Sequence, residues 1–186
     1  ASSSKFGNNG KNENLTPYSW TKSKNIELIK NFNNWYGLEY EIVYFYNVYG
    51  PGHDQSGKLA AVIGIFEGQF LQNKPLTVVS PGNFRRDFTH INDIVRGTYL
   101  AWRKNLNREY FLGTGNSYSI IHIAKLFKHK IKFIPYRSGE RFSSNKISND
   151  TYKILGFKPK IKIEKYIENF IKKIKKVLKI KKKILN

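Results

Sequence analysis

Two stretches decide how this chain is read: Pro17-Tyr18-Ser19-Trp20-Thr21-Lys22 and, further on, Tyr44-Phe45-Tyr46-Asn47-Val48-Tyr49-Gly50-Pro51-Gly52. The first opens a predicted helix, with Pro17 suited to its first turn. Apolar Ile26, Leu28, Ile29 and Phe32 follow, and Gly37 suits the end. On that helix Tyr18 and Lys22 lie four apart and share a face. An ammonium beside a phenol favours the ionised phenol, which suits a proton-transfer pair working near neutral pH. The second stretch grows out of Glu41–Tyr46, whose β-branched and aromatic residues read as a buried strand stopped by Gly50-Pro51-Gly52.

Working outward, Gly7–Thr16 is a polar loop, and Ala1–Ser4 reads as the end of a strand. Ala60–Leu71 suits a helix and Leu76–Val79 a strand. Asn92 is the expected N-cap of a helix over Ile94, Val95, Tyr99 and Trp102. Tyr110–Leu112 is a strand, Gly113-Thr114-Gly115 a strand-to-helix turn, Ile120–Phe127 a helix and Ile131–Ile134 a strand. Ile163, Ile167, Phe170, Ile174 and Val177 recur at spacings of three and four, the stripe of a last amphipathic helix. Strands alternating with helices make the class α/β.

The composition narrows the function. There is no cysteine, so disulfides and thiolate metal sites are excluded. The four histidines, His53, His90, His122 and His129, have no metal-like spacing with carboxylates, and no metal is expected. No apolar run is long enough for a membrane span. The net charge is +20, and residues 158–186 hold 12 Lys against Glu164 and Glu168, a net of +10. Lys, Asn and Ile recur everywhere, so the charge reads first as composition; a basic protein acting on nucleic acid or a membrane surface through its Lys-rich end is the rival. The chain has no methionine and opens Ala1-Ser2-Ser3-Ser4, from which a lost N-terminal region is expected.

The order ASSSKFG, PYSWTK, YFYNVYGPG, then Arg85-Arg86-Asp87-Phe88-Thr89-His90-Ile91-Asn92-Asp93, Arg137-Ser138-Gly139-Glu140 and Leu155-Gly156-Phe157-Lys158-Pro159 resembles the extended short-chain dehydrogenases/reductases. The likeness is to their NAD-dependent epimerase/dehydratase members, the UDP-glucose 4-epimerase-like branch in particular, from Ala1 to about Phe170. It implies the C-terminal part of a Rossmann-type doubly wound sheet plus a smaller α/β substrate-binding domain. On that division, 1–50 end the Rossmann-type domain, 51–170 are mainly the substrate region with some elements returning to the Rossmann sheet, and 171–186 are a Lys-rich C-terminal helix or tail. The glycine-rich strand–turn–helix that holds the dinucleotide pyrophosphate in such folds does not occur in these residues; Gly113-Thr114-Gly115 has Tyr118 where a third glycine would stand.

The resemblance also implies roles. Tyr18 matches the catalytic tyrosine and Lys22 the lysine on the nicotinamide ribose. A serine orients the substrate hydroxyl, Ser3 counted from the strand end or Ser2 counted back from Gly7. Phe45 and Val48 fall near the nicotinamide, and Asn47 contacts substrate. Arg86 and Arg137 hold the sugar-nucleotide diphosphate, and guanidinium groups suit that task because their paired donors match phosphate oxygens. Asp87 and Asp93 read as structural, and His90 as packing. NAD is the implied cofactor and an NDP-sugar the substrate, most simply in UDP-glucose/UDP-galactose interconversion. The parent is expected to be a cytoplasmic homodimer, with no nucleic acid and no stable membrane association, and the 186 residues alone to be inactive. Ser4-Lys5 stand where 4,6-dehydratases carry Asp-Glu, and Tyr44 where relatives commonly have Arg. A reductase, decarboxylase or dehydratase on the same scaffold is the alternative.

Overall fold

The computed structural model describes residues 1–6, 16–57, 60–136 and 149–185. A 3-10 turn (Ser3–Phe6) precedes α1 (Pro17–Tyr36), β1 (Ile42–Phe45), β2 (Val48–Tyr49), α2 (Val62–Leu71), β3 (Leu76–Val79), β4 (Arg85–Asp87) and β5 (Thr89–His90). Then come α3 (Ile91–Lys104), β6 (Glu109–Leu112), β7 (Ser117–Ser119), α4 (Ile120–Leu126), β8 (Ile131–Ile134), α5 (Asn149–Leu155) and α6 (Ile163–Leu185).

Local chemistry sets the ends of α1. Thr16 is extended, and its hydroxyl accepts the Ser19 N–H at 3.1 Å, satisfying one of the donors a helix start leaves open. Gly37 closes the helix at φ 68°, a left-handed conformation that costs glycine nothing, and its N–H reaches Asn33 O at 2.8 Å.

The sheet is covered on both faces because its strands alternate. β1 pairs parallel with β6, Val43 facing Tyr110 and Phe45 facing Leu112. Ile42, Tyr44 and Phe111 point to α1, where Ile26 and Phe6 complete a cluster. Val43, Phe45, Tyr110 and Leu112 point the other way, onto Ile94 and Ala101 of α3 with Leu155 and Phe157. Ser2 makes an isolated parallel bridge to Phe45, and Ala1 bonds through its backbone to Val43 and Phe45, so the first two residues lie extended beside β1. Helices on both faces of a parallel sheet are the doubly wound arrangement the sequence motifs imply.

A second core forms around β3, which pairs parallel with β8. Ile63 and Phe66 of α2, Ile123 of α4 and Phe127 just after it, and Ile163 and Ile167 of α6 are buried with Leu76 and Val78. β4 and β7 pair antiparallel, and β2 with β5 parallel, between the two cores.

Gly64 lets α2 sit against the loop before it. A Cβ built there would lie 2.0 Å from the backbone oxygen of Asp54, and one at Gly68 would lie 2.5 Å from that of Gln55. Inside a helix, Ala for Gly ordinarily gains up to about 1 kcal/mol. Here backbone must move instead, and overpacking costs about 1–3 kcal/mol. Gly64→Ala is therefore expected to lower the chain's stability in urea titration; a rise would show that the loop yields freely.

Three expectations are corrected. Asn92 does not cap α3: the cap lies two residues earlier at His90, whose Nδ1 accepts the Asn92 N–H at 3.2 Å. Gly113-Thr114-Gly115 joins strand to strand, because β7 forms against β4 before α4 begins. Ser3 and Ser4 belong to the 3-10 turn and not to a strand end.

Candidate functional site

Tyr18 and Lys22 share one face of α1, as their spacing dictates, with Lys22 Nζ 5.5 Å from the Tyr18 ring centroid. The Tyr18 side chain is 57% exposed, so its hydroxyl is accessible. Among the described residues Lys22 forms no ion pair. The ammonium therefore lies against the aromatic face rather than on a carboxylate. Thr21, on the same turn, returns its hydroxyl to Pro17 O and Tyr18 O, both at 3.0 Å.

Beside α1 packs the serine turn. Ser3 and Ser4 are both buried, and the Ser4 N–H donates to Ser2 Oγ at 3.2 Å. Among the described residues Ser4 Oγ has no hydrogen-bond partner and is buried, an arrangement that costs about 1–3 kcal/mol unless something fills it. Phe6 anchors the turn, with its ring 4.8 Å from Tyr44 and 5.4 Å from Phe111. Tyr44 is fully buried and donates to Glu109 Oε2 at 2.7 Å. Burial and that carboxylate push its phenol far above the usual range.

The parallel register brings the next group alongside. Because Ser2 pairs with Phe45, the serine turn and Asn47-Val48 both leave the sheet at its carboxyl edge, where open α/β sheets bind ligands. Asn47 is held by its own amide, Nδ2 donating to Asp87 O at 2.8 Å. Asn47, Val48 and Arg86 line one cavity of about 290 Å³ with Val62, Val79 and Phe84. Arg86 is 8% exposed and donates from one guanidinium nitrogen to Arg85 O at 2.9 Å. Phe45 turns from that cavity towards the apolar side of α3.

Asp87 and Asp93 serve the frame. The Asp87 carboxylate accepts from Thr114 N at 2.8 Å, Thr114 Oγ1 at 2.6 Å and Gly115 N at 2.9 Å. Its burial nevertheless holds the carboxyl above its ordinary range, so three donors offset only part of the desolvation. Asp93 pins the segment before α6, accepting Lys160 N at 2.9 Å and Ile161 N at 3.0 Å. His90 does more than pack: besides capping α3 it sits edge-on to Tyr49 and Tyr166, with centroids at 5.3 and 5.6 Å. Burial lowers its pKa, which keeps Nδ1 free to accept as a cap. His53 Nε2 and Glu67 Oε2 meet at 2.9 Å beside α2, and no described group of His, Asp or Glu forms a metal cage.

Of the residues singled out from the sequence, Tyr18, Lys22 and Ser3 therefore gather at α1 and the serine turn, and Asn47, Val48 and Arg86 at the cavity. Arg137 lies outside the described residues. Val79, read only as a strand end, and Phe84, not singled out at all, were missed as cavity residues, although Phe84 stands two residues before Arg86.

Residues 2–113 match the model of the NAD dependent epimerase/dehydratase family. The chain is 31% identical over 168 residues to the putative UDP-glucose 4-epimerase of Methanocaldococcus jannaschii, covering 84% of itself and 52% of that protein. It is equally 31% identical over 166 residues to the UDP-glucuronate 4-epimerase of Thermodesulfobacterium geofontis, covering 84% of itself and 50% of that protein. Among solved structures it is similar to the Thermotoga maritima UDP-glucose 4-epimerase with UDP-glucose, at a TM-score of 0.79 and 28% identity, covering 87% of itself and 54% of that chain. The chain thus spans about half the length of the relatives it matches.

Proposed function

The chain belongs to the NAD dependent epimerase/dehydratase family, and on that premise we propose that it supplies the proton-transfer and substrate-holding part of a nucleotide-sugar 4-epimerase. The observation that carries this reading is the meeting of the serine turn and Asn47 at one carboxyl edge of the sheet, with α1, the carrier of Tyr18 and Lys22, packed against the serine turn. On this reading residues 1–50 close the dinucleotide-binding sheet and 51–170 mainly hold the substrate. The 186 residues contain no glycine-rich strand–turn–helix, so the activity belongs to a polypeptide that also carries one, and the chain alone binds NAD poorly.

The residues present fit the nicotinamide-ribose end of the cofactor. Among the described residues Lys22 has no competing carboxylate and Ser4 Oγ, on the serine turn that packs against α1, is buried without a hydrogen-bond partner. Bound NAD would take up a hydride from the sugar carbon and give it back. Tyr18 Oη accepts the proton of the C4 hydroxyl as that C–H bond breaks, leaving a 4-keto sugar. Ser3 donates to the same oxygen and fixes its position, with Ser2 one turn position away as the alternative. Lys22 holds the ribose hydroxyls and keeps positive charge beside Tyr18. Once the keto sugar has turned over, Tyr18 returns the proton and the C4 epimer leaves. Asn47 and Arg86 keep the nucleotide end in place throughout. Ser4-Lys5 leave no carboxylate pair for removing water, which favours epimerisation over dehydration.

A polypeptide joining an NAD-binding half to these residues should convert UDP-glucose to UDP-galactose, read by chromatography; formation of a 4-keto-6-deoxy sugar instead would overturn the reading. Arg86→Ala in that enzyme is expected to weaken UDP-sugar binding by one to two decades, since a hydrogen bond to a charged partner is worth about 1.5–3 kcal/mol. Arg86→Lys recovers part of this, because an ammonium lacks the paired planar donors. Calorimetric affinities within a factor of two of the parent would remove Arg86 from the site.

A further inference from the structure

α6 is longer than the core it packs on. Its first half is buried through Ile163 and Ile167, with Tyr166, Phe170 and Ile171 against the same core. Beyond Ile171 the apolar stripe goes on at spacings of three and four through Ile174, Val177 and Leu178, yet Val177 is 43% and Leu178 55% exposed. Ile180 beside them is 48% exposed. Residues 172–185 make an overhang of about 21 Å at the helical rise.

The charge on this overhang has one sign. Lys172, Lys173, Lys175, Lys176 and Lys179 are exposed, Lys181, Lys182 and Lys183 follow in sequence, and no acid occurs after Glu168. The shoulder from which the helix departs carries the same sign. Phe170 packs on Phe70 and Phe127 at 5.9 and 6.2 Å, and His129 packs on Phe70 at 5.2 Å while meeting Lys74 O at 3.1 Å. The two loops so joined expose Lys74, Lys128 and Lys130, with Leu71 46% exposed beside them.

We propose that the outer half of α6 and this lysine-bearing shoulder form a reversible docking surface for an anionic lipid bilayer. A bilayer interface takes both halves of the pattern, apolar side chains into the acyl boundary and lysines against headgroup phosphates. A nucleic acid uses the lysines but gives Val177 and Leu178 no place. A second copy buries the apolar stripe only by bringing two uniformly cationic helices together, which repel. No described helix is long and apolar enough to cross a membrane, so the contact lies on the surface and is screened by salt. It stands apart from the cavity at Asn47 and does not depend on the catalytic reading.

Flotation of the 186-residue chain with vesicles tests this. The chain should float with phosphatidylcholine vesicles containing roughly one-third phosphatidylglycerol and not with pure phosphatidylcholine, and raising salt from about 0.05 to about 0.5 M should release it. K175Q/K176Q should weaken binding by an order of magnitude or more, since each lysine near an anionic leaflet contributes about fivefold. V177A/L178A keeps every charge and should still lose about tenfold. Gln and Ala are good helix formers, so neither pair unwinds α6. Equal binding to both vesicles overturns the proposal. So does unchanged binding by V177A/L178A, which would mark a polyanion site suited to duplex DNA, or lipid-free dimerisation abolished by that same pair.

Discussion

Tyr18→Phe, in a polypeptide that joins an NAD-binding half to these residues, is expected to lower kcat by about 10²–10⁴-fold or more, the range of a positioned acid/base group. The single oxygen removed is the only atom proposed to carry the sugar proton. The change should leave two other quantities alone. Tyr18 is 57% exposed, and substitutions at such sites usually stay within about 0.5 kcal/mol of the parent stability. UDP-sugar affinity rests on Asn47 and Arg86, which line a cavity to which Tyr18 does not contribute, and should change little. A variant that lost kcat together with folding stability or affinity would point to a structural role instead. Lys22→Ala supplies an independent reading. Losing the ammonium proposed to hold the ribose should weaken NAD binding by about tenfold or more, read by calorimetry on the joined polypeptide. NAD affinity within a factor of two of the parent would take Lys22 off the cofactor.

Why Tyr18 and Lys22 were legible in the sequence while other parts were not is a matter of range. α1 announces itself locally: Thr16 and Pro17 start it, Gly37 ends it, and the four-residue spacing fixes which side chains share a face. α6 is legible in the same way from its three-four stripe. The short strands are not. β2, β5 and β7 have two or three residues each, too few for any period, and exist because distant partners at 89–90, 48–49 and 85–87 offer backbone groups to them. The strand after Gly113-Thr114-Gly115 was unreadable for that reason. His90 misled differently. Asparagine is the commoner cap, and only the fold shows His90 extended at φ −69°, ψ 143° with its ring nitrogen turned back to Asn92. The site divides along the same line, since residue types and spacings pick out Tyr18, Lys22, Asn47 and Arg86, whereas the meeting of serine turn and Asn47 rests on the Ser2–Phe45 register, a pairing across 43 residues.

Asp87 shows how frame and site are joined, and removing its carboxylate is expected to cost about 3 kcal/mol. The side chain is 1% exposed and accepts from Thr114 N, Thr114 Oγ1 and Gly115 N. Asp87→Ala leaves these donors behind. Thr114 is half-buried and its groups lose most of the bond, whereas Gly115 is exposed and recovers part of its bond from water. Asp87→Asn keeps the shape and one acceptor oxygen but turns an NH₂ group towards inward-pointing donors, so it should retain less than half of the stability. The consequence reaches the cavity through backbone. Asp87 O takes the Asn47 amide at 2.8 Å, and Arg86 precedes it on the same strand. If the turn at 113–116 comes loose from β4, Asn47 and Arg86 both lose their fixed neighbour. Denaturant titration of the chain should therefore show Asp87→Ala with a lower midpoint at unchanged slope, and UDP-sugar affinity in the complete enzyme should fall even where the fold persists. A loss below about 1 kcal/mol would mean that water replaces the carboxylate and that the turn holds itself. Full affinity in a destabilised variant would mean that β4 presents Asn47 and Arg86 without help from the turn.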